Sequence, residues 1–262
     1  MRDAGYTATE LGGNFPRDSV TLTRELRARH LELCGAYQWL TLRDHTVLES
    51  ELSAAAPTFE LLRAGGCEHL VIADALTSER VDIAGQVPDD GSKSLGAGGF
   101  ARVAEGISRA ANFARTYGLS VHVHNHVGTY IETPDEVEAL LALMGTDVAD
   151  LCFDTGHYAY GGGDPVAFVL ERAACIGYLH LKDVDGAVLR QARRVGWSFR
   201  DALRNHIFSP LGEGMVDVPT IMLDLRRSEY AGWIVVEQDT CPGDATATAA
   251  RNRLYLKECC GL

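Results

Sequence analysis

Along this chain, short apolar runs end abruptly in charged or imidazole side chains, and most runs are followed by a stretch of helical spacing. Leu151-Cys-Phe-Asp-Thr-Gly-His-Tyr158 is the clearest case, the run stopping at Asp154 and His157. Ile176-Gly-Tyr-Leu-His-Leu-Lys-Asp183 delivers His180 and Lys182 in the same way, and Trp233-Ile-Val-Val-Glu-Gln-Asp239 delivers Glu237. Continuous apolar runs, unlike alternating ones, mark strands buried on both faces, as in a parallel sheet covered by helices.

The pattern predicts seven strands, at roughly 7–11, 32–38, 69–74, 120–126, 150–154, 176–181 and 233–237. Between them, Asp18 or Ser19 caps a helix reaching about His30, and Thr46 to Ala64 forms another that Gly65-Gly66 stops. Val103, Ile107, Ala110, Ala111 and Ala114 give Phe100–Tyr117 a helical face; Pro134 and Asp164-Pro165 each open a further helix. Gln191 to His206 reads as one helix, 218–227 as the next and 245–260 as the last, while polar, Gly-rich Val87–Gly99 reads as a long loop at the mouth of a site. This alternation predicts an α/β chain, a single (β/α)8 TIM barrel domain over 1–262. One strand is lacking from the count. Met1–Tyr6 reads as the tail of a helix entering a strand, so the lacking strand is the first at the N-terminus.

Composition narrows the reading. A length of 262 residues suits one barrel, and 46% hydrophobic with 23% charged residues is globular, with no run long enough for a membrane span. A formal net charge of −12 opposes binding to nucleic acid, whose phosphates require Lys and Arg clusters, and favours a neutral polyol or sugar over an anionic substrate. Seven cysteines at irregular spacings, with no CxxC pair, point to reduced thiols in a cytoplasm. A homo-oligomer is left open.

The active face of a parallel barrel is the one at the C-terminal strand ends, where Asp154, His180 and Glu237 fall. Each carboxylate alone reads as a turn former or helix cap. Together with an imidazole from a different strand they suit a divalent cation, Mn²⁺ or Co²⁺ first, with Mg²⁺ and Zn²⁺ as alternatives. His122, His124 and His126 share one face of their strand by period two; if that face is inward, His124 and His126 reach the site, and if outward all three are structural.

His124-Asn-His-Val-Gly-Thr129, Asp154-Thr-Gly-His157, His180-Leu-Lys-Asp183, Gly212-Glu-Gly214 and Glu237, in this order, resemble the xylose isomerase-like TIM barrels, and most closely the inosose dehydratases. The resemblance implies Asp154, His180 and Glu237 as metal ligands and places His157 and Lys182 toward substrate; Glu10 is assigned to substrate as well. Epimerases of the superfamily carry a metal-binding Glu where this chain has His124, whereas inosose dehydratases have a histidine there. The fourth ligand is therefore His124 or a residue of the following loop such as Glu132.

The implied reaction is dehydration of 2-keto-myo-inositol or a similar cyclic polyol ketone, with His126 or Glu237 as base and His157 or Lys182 as acid. A ketose isomerase or epimerase shares the enediolate and is the alternative. An endonuclease fits the charge poorly, and a non-catalytic sugar binder leaves the clustered carboxylates without a reason.

Overall fold

The computed structural model describes residues 1–145, 147–241 and 243–262. After a 3-10 turn at Arg2–Ala4, the first half comprises β1 Ala8–Glu10, α1 Ser19–Ala28, β2 Glu32–Gly35, β3 Tyr37–Leu40, α2 His45–Ala64, β4 His69–Asp74, α3 Ser78–Asp82, α4 Gly96–Arg115 and β5 Ser120–His124. The second half comprises α5 Pro134–Leu141, β6 Asp150–Asp154, α6 Thr155–Tyr160, α7 Pro165–Arg172, β7 Ile176–Leu181, β8 Asp183–Val184, α8 Gly186–Val195, α9 Phe199–Arg204, β9 Phe208–Ser209, α10 Val218–Arg227, β10 Trp233–Val236 and α11 Ala245–Cys260.

The large strands pair in parallel in the order β10-β7-β6-β5-β4-β3, and β1 pairs in parallel with β2. The predicted strand over 32–38 is thus two short ones, divided at Ala36. Gly35 explains the break: a Cβ there would stand 2.8 Å from the Tyr178 hydroxyl, so the chain can pass this point only as glycine and irregularly. Pairing nevertheless continues across it, because Leu11 N–H donates to the Gly35 carbonyl on one side and Val71 N–H to the Ala36 carbonyl on the other. Among the described residues β1 and β10 have no strand between them. A cavity of about 210 Å³ lies there, lined by Tyr6–Glu10, Cys34 and Trp233–Gln238. Taking β2 and β3 as one interrupted strand, the six-stranded sheet and the β1–β2 pair follow barrel order with one open seam, between β1 and β10.

Part of the acidic excess sits at helix N-termini. Asp18, Asp44, Asp164, Asp185, Asp217 and Asp244 each accept hydrogen bonds from first-turn N–H groups that have no partner within the helix. Two further expectations need correction. The helix predicted over 191–206 is two, α8 and α9, because Gly196 takes a left-handed conformation (φ 69°) and ends the first. The loop predicted over 87–99 ends earlier, since α4 begins at Gly96. The short helices α3 and α6, and the antiparallel pair β8–β9, were hidden by their brevity.

Arg80 of α3 is completely buried and ties two active-face loops together. Its guanidinium donates twice to Glu136, at 2.6 and 2.8 Å, reaches Glu132 at 3.4 Å and bonds the Lys93 carbonyl. Glu132 in turn accepts from the Gly85 and Gly128 N–H groups at 2.7 Å each. Replacing Arg80 by Met leaves two buried carboxylates short of their cation, and the expected cost is about 3–5 kcal/mol, read as a lowered urea midpoint at unchanged slope.

Candidate metal centre and substrate pocket

His124 ends β5, Asp154 ends β6, His180 lies near the end of β7 and Glu237 follows β10. Adjacent strands of a parallel sheet bring these ends side by side. One donor atom from each of the four residues lies within 4.8 Å of all the others. His124 Nε2 stands 3.4 Å from Asp154 Oδ2 and 3.9 Å from Glu237 Oε2, and His180 Nδ1 stands 2.9 Å from the latter. The expected convergence of Asp154, His180 and Glu237 is met. The fourth member of the cluster is His124; Glu132, the other residue considered, is held instead by Arg80 and two backbone N–H groups.

Asp154 performs both tasks that the sequence offered as alternatives. One oxygen caps α6 by accepting the His157 N–H at 2.6 Å, while Oδ2 faces the cluster without a hydrogen-bond partner. Both ring nitrogens of His124 are likewise buried and unpartnered, while Nδ1 of His180 and Oε2 of Glu237, 2.9 Å apart, are buried without a well-directed hydrogen bond. Four donor atoms gathered in this way, one from each residue, are costly unless a cation holds them, so the donor set fits a divalent metal ion. Burial holds the His124 imidazole well below its ordinary pKa and therefore neutral, the form that binds metal. Burial also pushes the Asp154 carboxyl up, against the pull of Lys182. In Glu237 burial has the same tendency, but Lys182 and His180 outweigh it and keep the group ionised.

Glu10 lies beneath this cluster. It accepts from the Tyr178 hydroxyl at 3.0 Å and stands 3.0 Å from His180 Nε2, which fixes that ring with Nδ1 turned to the cluster. Lys182 is fully buried beside the donors. Its ammonium lies 3.4 Å from Asp154, 3.1 Å from Glu237 and 3.1 Å from Asp239, over the Phe208 ring. Burial works against this charge, yet the three carboxylates raise the Lys182 pKa above its usual value, so it stays protonated. Its 2.9 Å contact with His157 Nε2 must then be a bond that Lys182 donates, which makes His157 neutral. The 3.4 Å contact from the Val127 N–H to the other ring nitrogen is too long to compete.

His126 stacks on His157 with ring centroids 3.7 Å apart, and Trp39 and Phe199 pack against it edge-on. Its Nδ1 sits 2.6 Å from the Val127 carbonyl, an acceptor only, so Nδ1 carries the proton and Nε2 the lone pair. His122, the deepest of the three alternate histidines, meets His69 at 3.0 Å. Burial, and then His69, lower its pKa from 6.5 to about 3. The folded state thus binds fewer protons than the unfolded one between these values, so its contribution is present above pH 6.5 and lost as pH falls toward 3. It amounts to at most about 5 kcal/mol. Urea midpoints measured between pH 7 and pH 4 should fall less steeply for His122→Asn than for the wild type.

Tyr37 and Asp239 escaped the sequence reading. Tyr37 lies inside an apolar run and reads as core, yet its ring stands 5.1 Å from that of His124 and its buried hydroxyl has no partner. Asp239 follows Glu237 by two residues, a spacing that could have signalled a shared face. The Gly212-Glu-Gly214 motif is a loop clamp: Asp183 accepts from the Gly212, Gly214 and Val216 N–H groups, and a Cβ on Gly214 would collide with it at 2.2 Å.

Parallel strands with outer helices, and a cluster of metal-ligand type at their C-terminal ends, define a barrel of the metal-assisted kind. The chain belongs to the xylose isomerase-like TIM barrel family, which it matches over residues 1–259. The rhizopine catabolism protein MocC of Rhizobium meliloti is 38% identical over 245 residues, spanning 94% of this chain and 74% of the relative. An inosose dehydratase of Geobacillus kaustophilus is 32% identical over 245 residues, spanning 94% and 80%. Among solved structures, a probable 3-DHS dehydratase from Bacillus anthracis superposes with a TM-score of 0.72 at 14% identity, over 98% of this chain and 90% of that one. The IOLI protein with a bound zinc atom superposes with a TM-score of 0.69 at 13% identity, over 99% and 88%. These two likenesses establish the fold. No helix among the described residues is long and apolar enough to cross a membrane.

Proposed function

We propose that the protein is a metal-dependent lyase that removes water from a cyclic polyol ketone of the 2-keto-myo-inositol type. The observation that carries the reading is the set of unpartnered donors on His124, Asp154, His180 and Glu237 beside a protonated Lys182. The inosose dehydratase relatives support the substrate class. Mn²⁺ suits a centre of two imidazoles and two carboxylates, and when bound it would supply a positive charge for the oxygen that becomes anionic as a neighbouring C–H is deprotonated.

The residues divide the remaining work. His126, with its lone pair on Nε2, is the group suited to take the α-proton; Glu237 is the second candidate, though holding metal would occupy it. Lys182, held protonated by three carboxylates, donates to the departing hydroxyl. His157 is neutral and bonded to Lys182, so it aims the acid and faces substrate. Glu10, assigned to substrate by sequence, acts through His180 by fixing its ring. Trp39, Phe199 and Phe208 form an apolar wall that excludes competing water.

The alternative is a ketose isomerase or epimerase, which begins with the same deprotonation; the imidazole of His124 in place of a carboxylate weighs against it. Incubating the Mn²⁺-loaded protein with 2-keto-myo-inositol in D₂O separates the two. A deoxy-diketone appearing in the NMR spectrum supports the lyase, whereas deuterium entering the ketone without loss of water would overturn it in favour of the isomerase class.

A further inference from the structure

Cys152 precedes Asp154 by two residues on β6, so strand alternation turns both side chains to the same face, with the thiol one layer deeper. It is completely buried, between Val71 and Tyr178. Its sulfur, a ring nitrogen of His124 and a ring nitrogen of His180 all lie within 4.8 Å of one another. Both nitrogens of His124 are buried without partners, Nδ1 of His180 has only the Glu237 carboxylate beside it at 2.9 Å, and Glu10 occupies the other nitrogen of His180. Two aimed imidazoles therefore face the carboxylates above and the thiol below.

We propose that His124, Cys152 and His180 form a second metal position, beneath the oxygen-rich one and sharing its two imidazoles, that takes thiophilic divalent ions of the zinc class. This inference rests on the reading of the strand ends as a metal centre. Two nitrogens and a sulfur are the donors that Zn²⁺, Cd²⁺ and Co²⁺ prefer, whereas Mn²⁺ and Mg²⁺ prefer the carboxylates. Donors held about 2.0–2.3 Å from one tetrahedral ion stand about 3.5 Å apart, so side chains within 4.8 Å of one another reach it by closing about 1 Å at most. On coordination the sulfur lone pair forms the bond and the thiol proton leaves to solvent, with no change of oxidation state. Because the imidazoles are shared, an ion in one position excludes an ion from the other. A zinc-class ion drawn down to Cys152 is withdrawn from Asp154 and Glu237, so the same chain distinguishes hard from soft ions by depth.

The test is a Co²⁺ titration of metal-free protein followed by absorption, in the wild type, Cys152→Ala and Cys152→Ser, with circular dichroism to confirm folding. The first equivalent of Co²⁺ should give the wild type a sulfur-to-cobalt charge-transfer band in the near ultraviolet in addition to visible ligand-field bands. Both variants should keep the visible bands and lose the ultraviolet one. Their Zn²⁺ affinity should fall at least about tenfold with Mn²⁺ affinity unchanged, since losing a direct ligand costs no less than losing an outer partner. Visible bands without the charge-transfer band in the wild type, or a band that persists in the variants, would overturn the proposal and leave Cys152 as floor packing. Absence of any cobalt band would overturn it together with the metal centre on which it rests. Should neither variant fold, the wild-type spectrum alone decides.

Discussion

Lys182→Met is expected to lower turnover by roughly 10²–10⁴-fold, about 3–5 kcal/mol of barrier, because it removes the proposed acid. Methionine retains the unbranched apolar stem over Phe208, so the surrounding packing survives. The substitution also has a signature that simple damage would not produce. It takes a positive charge from within 3.4 Å of Asp154 and Glu237, so Mn²⁺ affinity should rise even as turnover collapses. Steady-state kinetics at saturating Mn²⁺, together with a binding isotherm, reads both effects. Loss of turnover with loss of metal would instead make Lys182 a support for the ligands.

Asp154→Asn should be at least as damaging, for the opposite reason. The asparagine oxygen can still accept the His157 N–H and cap α6, so the fold is retained. The atom that replaces Oδ2 becomes an amide donor, uncharged and pointed at a position built for a cation. Activity is expected to fall more than about a thousandfold even at high Mn²⁺, since the missing charge stabilises the developing oxyanion as well as the ion. Circular dichroism and a urea midpoint near that of the wild type would separate this from unfolding.

The site was legible in the sequence where one residue type serves strand geometry and chemistry together. Asp154 ends its apolar run because it must cap α6, and the same abrupt polarity marks the proposed metal ligand. His124 followed from period two along β5, and His180 and Glu237 from the rule that barrel chemistry sits at C-terminal strand ends. What escaped depends on contacts distant in sequence. Gly35 breaks the second strand because Tyr178 crowds it from across the barrel, and no local propensity records that. Glu10 reads as a mouth residue until its bonds to Tyr178 and His180 place it beneath the ligands. Tyr37 looks like core because its neighbours are apolar, although its ring packs against that of His124 and its buried hydroxyl is unbonded. The α8–α9 break falls at Gly196, but the residues on both sides of it read as helical.

The seam between β1 and β10 bears on function as well as fold. Its cavity reaches both Glu10, which holds the His180 ring, and Glu237 of the proposed centre. The geometry of the centre is therefore coupled to how those two edges are held.

The most direct measurement is a calorimetric titration of metal-free protein with Mn²⁺, repeated on His124→Ala, Asp154→Asn and Glu237→Gln. One ion per chain, with affinity reduced at least about a hundredfold in each variant, is the predicted result. Mn²⁺ binding that is absent from the wild type, or that survives these substitutions undiminished, would contradict the assignment of the strand-end cluster as a metal centre.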